Sequence, residues 1–414
     1  MGGGPKSIAV IGSGTMGAGI AQLAAMHGCD VVLVDLNREL LDRAGGLIRQ
    51  QLDRAVDKGK LTSERREGIL SRIGFRTDIE AVGAVHLAIE AVVENVEVKR
   101  KVFRALEKAT PATTVLATNT SSLSVSKIAE GVDDPSRVIG MHFFNPAMVM
   151  PLVEVIAGEK SSDRSLAVGF DAASAWGKTA VRAKDTPGFI VNRVARGYYL
   201  EALRLLGEGV AGVSEIDLVM KSLGGFKMGP FELMDLVGLD VNLAVSTSVW
   251  EQMGKSARFA PHRIQQELVA KGQLGRKSGR GFYSYDGDRP AIPACVVDRR
   301  SFSLNPLLAD AMAAFGARVG AAREGPVLAG STECYILARI LGAVLNEAGH
   351  ALSDGVASRE DIDIAMIKGT NYPKGPLAWA EEIGPRTVRG LLKAMNEAAG
   401  DGRYEAARHF ADAY

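Results

Sequence analysis

Between Lys6 and about Thr186 short apolar runs alternate with amphipathic, helix-forming segments, and few folds satisfy that alternation. Strands separated by helices pair in parallel, because a helix-length connection returns the chain to the same end of the sheet. The candidate strands are residues 7–12, 30–35, 85–91, 114–119, 137–143 and 152–157. The spacing predicts an α/β domain with a Rossmann-type parallel sheet. The charged stretch 37–72 reads as a helical hairpin, longer than a crossover needs, and is expected to have a task of its own.

A length of 414 residues exceeds what one core usually supports. After Thr186 the strands are expected to stop. The reading places a first domain at 1–186, a first helical domain at 187–286, a linker at 287–330 and a second helical block at 331–414. That block repeats the first. Shifted by 146 residues, 201–231 aligns with 347–377 without a gap and with 11 identities, including Glu201/Glu347, Gly209/Gly355, Asp217/Asp363 and Gly229-Pro230/Gly375-Pro376. Chance similarity between two helical segments would not usually retain both a glycine turn and a Gly-Pro helix start, so two tandem all-α domains are expected.

The 49 basic and 48 acidic residues leave a net charge of +1, which argues against a nucleic-acid binder. No apolar run reaches the roughly 18 residues of a membrane span. The opening MGGGPKSIAVIG runs directly into a strand and has no leader pattern. Cys29, Cys295 and Cys334 are far apart and odd in number, which suits a reducing cytoplasm and makes no disulfide framework. No histidine and cysteine cluster has ligand spacing, so no metal is expected.

The first strand runs into Gly12-Ser13-Gly14-Thr15-Met16-Gly17, and a helix-forming run follows at once. Alone a GxGxxG is weak; between a strand and a helix it reads as a dinucleotide fingerprint. Gly12 permits the tight turn, Gly14 lets a pyrophosphate approach, and Gly17 lets helix and sheet pack. Asp35 ends the second strand, where an acid grips ribose hydroxyls and repels a 2′-phosphate. NAD is therefore expected over NADP, with Arg38 nearby as a contrary sign. FAD is the rival ligand, and nothing later in the chain supports it. A helix-capping role is the plain alternative for Asp35.

TNTSSL (118–123), GMHFFNP (140–146) and PLVEVI (151–156) bring polar groups to the ends of successive strands or the loops beyond, where open α/β sheets bind ligands. His142 suits reversible alcohol oxidation, since an imidazole of pKa about 6.5 accepts and returns a proton near neutrality. Glu154 is an acid among apolar residues, costly there unless paired. Pairing with His142 would satisfy the acid and fix the imidazole tautomer. A lone histidine at a strand end is more often structural; the pair reverses that expectation.

These residues resemble the 3-hydroxyacyl-CoA dehydrogenase family. The motifs GSGTMG, VLVD, AVVENVEVKRKVF, TNTSSLS, MHFFNPAMVMPLVEVI, KDTPGFIVNR, MGPFELMDLVGLD and GRKSGRGFYSY stand in family order from residue 6 to about 286, and 331–414 matches the helical domain again. The resemblance implies His142 as base, Glu154 as its orienting acid, Ser121 as a hydrogen bond to the substrate oxygen, and Asn192 as the residue completing the site. It implies Glu94, Lys99, Asn145 and Lys277 as further NAD contacts beside Gly12–Gly17 and Asp35. In the family the hairpin corresponding to 37–72, here with Arg49, Arg54, Lys58 and Lys60, borders the CoA site. Lys58 falls on a CoA-binding lysine, and Gln51 replaces the companion serine. Thr186-Pro187 would start a helix with Asn192 about a turn and a half in. The second copy has Ala338 where the first has Asn192, so it is expected to be catalytically silent. Single-copy members dimerise through their helical domains; here the copies are expected to pack as an internal pseudo-dimer, with a homodimer as the other arrangement. A β-hydroxyacid dehydrogenase would usually use a lysine base, and a non-catalytic NAD-binding protein would not need the full Ser121, His142, Glu154 and Asn192 set.

Overall fold

The computed structural model describes residues 4–287, 289–295, 306–321 and 331–411. The chain divides into two units, Met1–Phe189 and Ile190–Tyr414. Among the described residues no single helix is long and apolar enough to cross a membrane.

The first unit is built on β1 (Ser7–Ile11), α1 (Thr15–Met26), β2 (Asp30–Val34), α2 (Arg38–Asp57), α3 (Ser63–Ser71), β3 (Ile73–Arg76) and β4 (Leu87–Glu90). It continues through α4 (Val96–Ala109), β5 (Val115–Thr118), α5 (Val125–Ala129), β6 (Val138–Phe143), β7 (Leu152–Ala157), α6 (Asp163–Ala175) and β8 (Thr179–Lys184). The eight strands form one sheet in the order β3-β2-β1-β4-β5-β6-β7-β8. The order reverses between β1 and β4, the place where open α/β sheets carry their ligand crevice.

The six expected strands form with ends trimmed by up to two residues, and the 37–72 hairpin forms as α2 and α3. Its helices start where sequence chemistry dictates: the Asn37 side chain accepts from Leu40 N, and the Thr62 side chain from Arg65 N. Leu41, Ala44, Ile48 and Leu52 form the buried stripe of α2. Two strands went unread. β3 is the short IGFR that follows the hairpin, and β8 (TAVRAK) alternates on the sheet's edge.

The sheet is not wholly parallel. β6 and β7 pair antiparallel because residues 144–151 make a turn too short for a crossover. Their register sets His142 directly opposite Glu154.

The second unit contains α7 (Val191–Gly207), α8 (Val213–Ser222), α9 (Pro230–Val237), α10 (Leu239–Gln252), α11 (Arg263–Ala270), β9 (Tyr283–Asp286) and β10 (Arg289–Pro293). Then come α12 (Pro306–Ala321), α13 (Thr332–Ser353), α14 (Arg359–Thr370), α15 (Pro376–Ile383), α16 (Pro385–Ala399) and α17 (Arg408–Ala411). Strands therefore do not stop at Thr186: β9 and β10 make an antiparallel hairpin. The expected linker carries a helix, α12, which packs against α13, α15 and α16. Residues 296–305 and 322–330 of that segment lie outside the described residues.

The expected helix at Pro187 does not form. Gly188 and Phe189 adopt positive φ, at 76° and 47°, and Phe189 N closes a tight turn on Thr186 O at 2.9 Å. The helix begins at Val191, so Asn192 is its second residue.

The repeat is visible in space. α7 and α13 pack against each other through Gly197, where a Cβ would stand 2.9 Å from the Ala343 carbonyl carbon. Ala343 is the position that matches Gly197 under the 146-residue shift. Phe226 likewise meets its own counterpart, Tyr372, edge to face at 4.9 Å. The two copies thus touch through counterpart residues along a common seam. Across it the buried charges are exchanged. Arg193 Nε donates to Glu347 at 2.7 Å and its Nη2 to Asp354 at 2.7 Å. Arg339 Nε donates to Glu201 at 2.7 Å and its Nη2 to Glu208 at 3.1 Å.

Candidate active site

At the C-terminal end of β1 the backbone turns at Gly12 (φ 100°), whose amide donates to Val34 O at 2.8 Å. A Cβ on Gly12 would lie 2.6 Å from Ala91 O, and one on Gly17 would lie 1.8 Å from Gly12 O. Both glycines are therefore required by the protein's own packing. Gly14 is different: a Cβ there would meet nothing within 4 Å. It stands at the N-cap of α1, where no side chain caps the helix, and a helix start of this kind suits an anion. Asp35 is half-buried beside this turn. Its Oδ2 accepts from Ser13 N and Ser13 Oγ, each at 2.6 Å, and Oδ1 from Leu36 N at 2.7 Å.

A buried acid organises the next edge of the crevice. Glu90 ends β4 with no exposed surface and accepts from Lys99 Nζ, Thr118 Oγ1 and Val92 N, each at 2.7 Å. Lys99 is equally buried and also lies 3.3 Å from Glu94 Oε2. Glu94 in turn gathers the TNTSSL loop: Oε1 accepts from Thr120 Oγ1 at 2.5 Å, Ser121 N at 3.1 Å and Ser122 N at 3.2 Å. Burial raises the Glu94 carboxyl, but Lys99 and the Thr120 and Ser122 hydroxyls outweigh it and hold it below the usual carboxylate range. Ser121 is thus fixed through its backbone by an acid on a neighbouring loop. Asn119 Oδ1 accepts from Phe143 N at 2.9 Å, which ties the same loop to the strand of His142.

His142 Nδ1 lies 2.6 Å from Glu154 Oε2. The imidazole is 7% exposed and the carboxylate fully buried. Glu154 sits in mid-strand, not at a strand end as its place in PLVEVI suggested; the antiparallel register alone aligns the two. Phe144 packs at a tilt, 4.5 Å between ring centroids, and Phe189 does so at 5.9 Å, giving the imidazole apolar walls. With Nδ1 committed to the acid, Nε2 is the ring nitrogen left for a further partner. Just beyond, Asn145 is exposed, and Lys178 Nζ pins the following turn by donating to Ala147 O at 2.7 Å and Met150 O at 2.9 Å.

The remaining expected residues are Lys58, Asn192 and Lys277. Lys58 is exposed at the C-terminal end of α2, and Gln51 is exposed two turns earlier. Asn192 is half-buried in the first turn of α7, and Lys277 pairs with Asp240 at 2.7 Å; both belong to the second unit.

Comparison with known proteins agrees over nearly the whole chain. The description "3-hydroxyacyl-CoA dehydrogenase, NAD binding domain" matches residues 7–186, and "3-hydroxyacyl-CoA dehydrogenase, C-terminal domain" matches 188–285 and again 335–413. The chain belongs to the 3-hydroxyacyl-CoA dehydrogenase family. It is 40% identical to 3-hydroxyadipyl-CoA dehydrogenase of Escherichia coli, covering 96% of this chain and 95% of that one. The crystal structure of 3-hydroxybutyryl-CoA dehydrogenase from E. coli superposes with a TM-score of 0.86 at 38% identity, covering 98% of each chain. Human mitochondrial hydroxyacyl-coenzyme A dehydrogenase is 42% identical over 68% of this chain and 91% of its own length.

This dehydrogenase is thus an NAD-dependent oxidoreductase, and its first unit fits the cofactor on its own geometry. Gly14 leaves open the one place in the glycine turn where a phosphate must come close, and Asp35 is held beside it by Ser13. Lys99 departs from the sequence reading. Its ammonium has no exposed surface and is taken by Glu90 and Glu94. Three residues that position the site were passed over: Ser13, Thr120 and Glu90. Glu90 carried a readable signal, since an acid closing the apolar run LAIE needs a partner for the same reason Glu154 does.

Proposed function

We propose that the enzyme interconverts (S)-3-hydroxyacyl-CoA and 3-oxoacyl-CoA, with His142 as the general base and acid. The observation that carries this reading is the buried 2.6 Å contact between His142 Nδ1 and Glu154. In the oxidising direction His142 Nε2 takes the proton of the C3 hydroxyl while the C3–H bond breaks and the C3–O double bond forms. NAD, when bound, would supply the acceptor for the C3 hydrogen and its electron pair. Glu154 stabilises the imidazolium as the proton arrives and keeps the ring in the tautomer that presents Nε2. Ser121, steadied by Glu94, is assigned the hydrogen bond to the C3 oxygen, and Asn192 is assigned a supporting role in the chemistry. In reverse the imidazolium returns its proton.

Asp35, the Gly12–Gly17 turn, Glu94, Asn145 and Lys277 are assigned to NAD, with Lys99 acting through Glu94. Lys58 on the exposed basic hairpin is assigned to the CoA phosphates. The two full-length relatives are named for a dicarboxylic six-carbon and a four-carbon acyl chain, which makes short and dicarboxylic 3-hydroxyacyl-CoA esters the first substrates to try and acyl-CoA catabolism the expected setting. The exchanged ion pairs and touching counterparts support reading the two helical copies as a pseudo-dimer within one chain.

The decisive test is NADH formation with a panel of 3-hydroxyacyl-CoA esters, for the wild type and for His142→Gln. The variant is expected to lose about 10³-fold in kcat while binding NAD as before. A kcat within a few-fold of wild type would remove His142 from the chemistry.

A further inference from the structure

We infer that Glu90 is a positioning residue that biases binding toward oxidised NAD over NADH, by holding the Lys99 ammonium back from Glu94. This rests on the reading that Glu94 bears on the cofactor.

Three ionisable side chains meet behind the TNTSSL loop, and their charges do not cancel. Glu90 accepts from Lys99 Nζ, Val92 N and Thr118 Oγ1, each at 2.7 Å, three donors on one acid as an ionised carboxylate takes them. Lys99 Nζ lies 2.7 Å from Glu90 Oε1 but 3.3 Å from Glu94 Oε2. Two carboxylates thus share one ammonium, which leaves one negative charge over. Position assigns that charge to Glu94. The ammonium stands nearer to Glu90, and Glu90 has no water to screen it, whereas the Glu94 side chain is 36% exposed. Thr120 Oγ1 and the amides of Ser121 and Ser122 gather on Glu94 Oε1, and such neutral donors stabilise a charge without cancelling it.

The order of the sheet decides what that charge can act on. Asp35 follows β2, the glycine turn follows β1, Glu94 follows β4, Ser121 follows β5 and His142 lies in β6, and these strands are neighbours in that sequence. With Asp35 assigned to the ribose and the turn to the phosphates, Glu94 falls beyond the phosphates on the His142 side, toward the nicotinamide. The oxidised nicotinamide ring carries a positive charge that the reduced ring has lost. A charged carboxylate on that side favours the oxidised form, and a carboxylate neutralised by its own lysine does not. Glu90 touches neither ligand, yet it determines which of the two carboxylates the ammonium serves.

The test measures calorimetric Kd for oxidised NAD and for NADH, with thermal midpoints, for the wild type, Glu90→Gln, Glu94→Gln and the Glu90→Gln/Lys99→Met double variant. The ratio of the two constants is the readout, because general damage to the site weakens both ligands alike. Glu90→Gln gives Lys99 to Glu94 and should raise Kd(NAD)/Kd(NADH) about fivefold. The double variant removes the ammonium as well and leaves Glu94 charged. Its ratio should return to within about twofold of wild type, although it carries two lesions. An unchanged ratio in Glu90→Gln, or no return in the double variant, would overturn the inference if Glu94→Gln still raises the ratio. Glu94→Gln with both constants as in wild type would instead overturn the reading beneath it. If Glu90→Gln does not fold, Glu90→Asp retracts the carboxylate by one methylene and should raise the ratio about twofold; an unchanged ratio there would also overturn the inference.

Discussion

Asp217 in the first helical copy and Asp363 in the second hold the same place. Each accepts from the two amides that open the Gly-Pro helix, Phe231 and Glu232 in one copy, Leu377 and Ala378 in the other. Around them the copies diverge. In the first, the β9–β10 hairpin adds Tyr283, whose hydroxyl donates to Asp217 at 2.8 Å, and Asp235 collects Phe282 N, Tyr283 N and Tyr285 Oη. The counterpart of Asp235 is Glu381, an exposed partner of Arg359. In the second copy the distinctive addition is α12. The Cys334 thiol donates to Met312 O at 3.5 Å, and Ala338, one turn further along the same face, is 1% exposed. The first copy thus keeps a half-buried asparagine at this helix start, and the second buries an alanine. Duplication preserved the caps and the charges exchanged across the seam, where loss of one partner strands a buried group. It let the position of Asn192 change, where nothing in the second copy's own packing requires a polar side chain.

That contrast can be broken or sharpened in order of expected size. Asp217→Ala strands two amides and a phenol in a dry site and should cost about 4 kcal/mol in urea unfolding. Asp363→Ala removes a half-buried acid from two amides and should cost about 1 kcal/mol. Equal losses would mean that the hairpin does not distinguish the copies energetically.

The second effect is acid sensitivity. Burial alone would raise Glu201, but Arg339 and Arg204 overcome it and pull its carboxyl down from 4.5 to about 2. A depressed carboxyl contributes stability that is present above its unfolded pKa and is lost as pH falls through the folded one. The thermal midpoint should therefore decline between about pH 4.5 and 2, and Glu201→Gln should flatten that decline. An unchanged slope would show that the pair contributes nothing to acid lability.

The smallest effect is expected from Ala338→Asn, which restores the asparagine to the second copy. Placing an amide at this buried position should cost about 1–2 kcal/mol and add no turnover. A gain in kcat would contradict the silence of this copy.

Much of this was legible beforehand because it depends on short-range chemistry. The glycine turn, Asp35, the capped hairpin and the Gly-Pro repeats each follow from what a few adjacent residues can do with their backbone. The misreadings share a cause as well. Thr186-Pro187 looks like a helix start, yet Gly188 and Phe189 turn the chain away first. The segment 287–330 looked like linker because its helix α12 finds its packing partners in the distant α13, α15 and α16.

What the amino-acid sequence determined by itself is the inventory: a nucleotide turn, a histidine and an acid that needs a partner, and two copies of one helical module. Only the tertiary structure decided the pairings. His142 meets Glu154 because an eight-residue turn forces β6 and β7 antiparallel in one register. Lys99 goes to Glu90 and Glu94 rather than to the surface. Arg193 goes to the acids of the other copy rather than its own. A buried charge specifies that it must have a partner, but which partner depends on distances between segments far apart in the chain, and packing alone sets those.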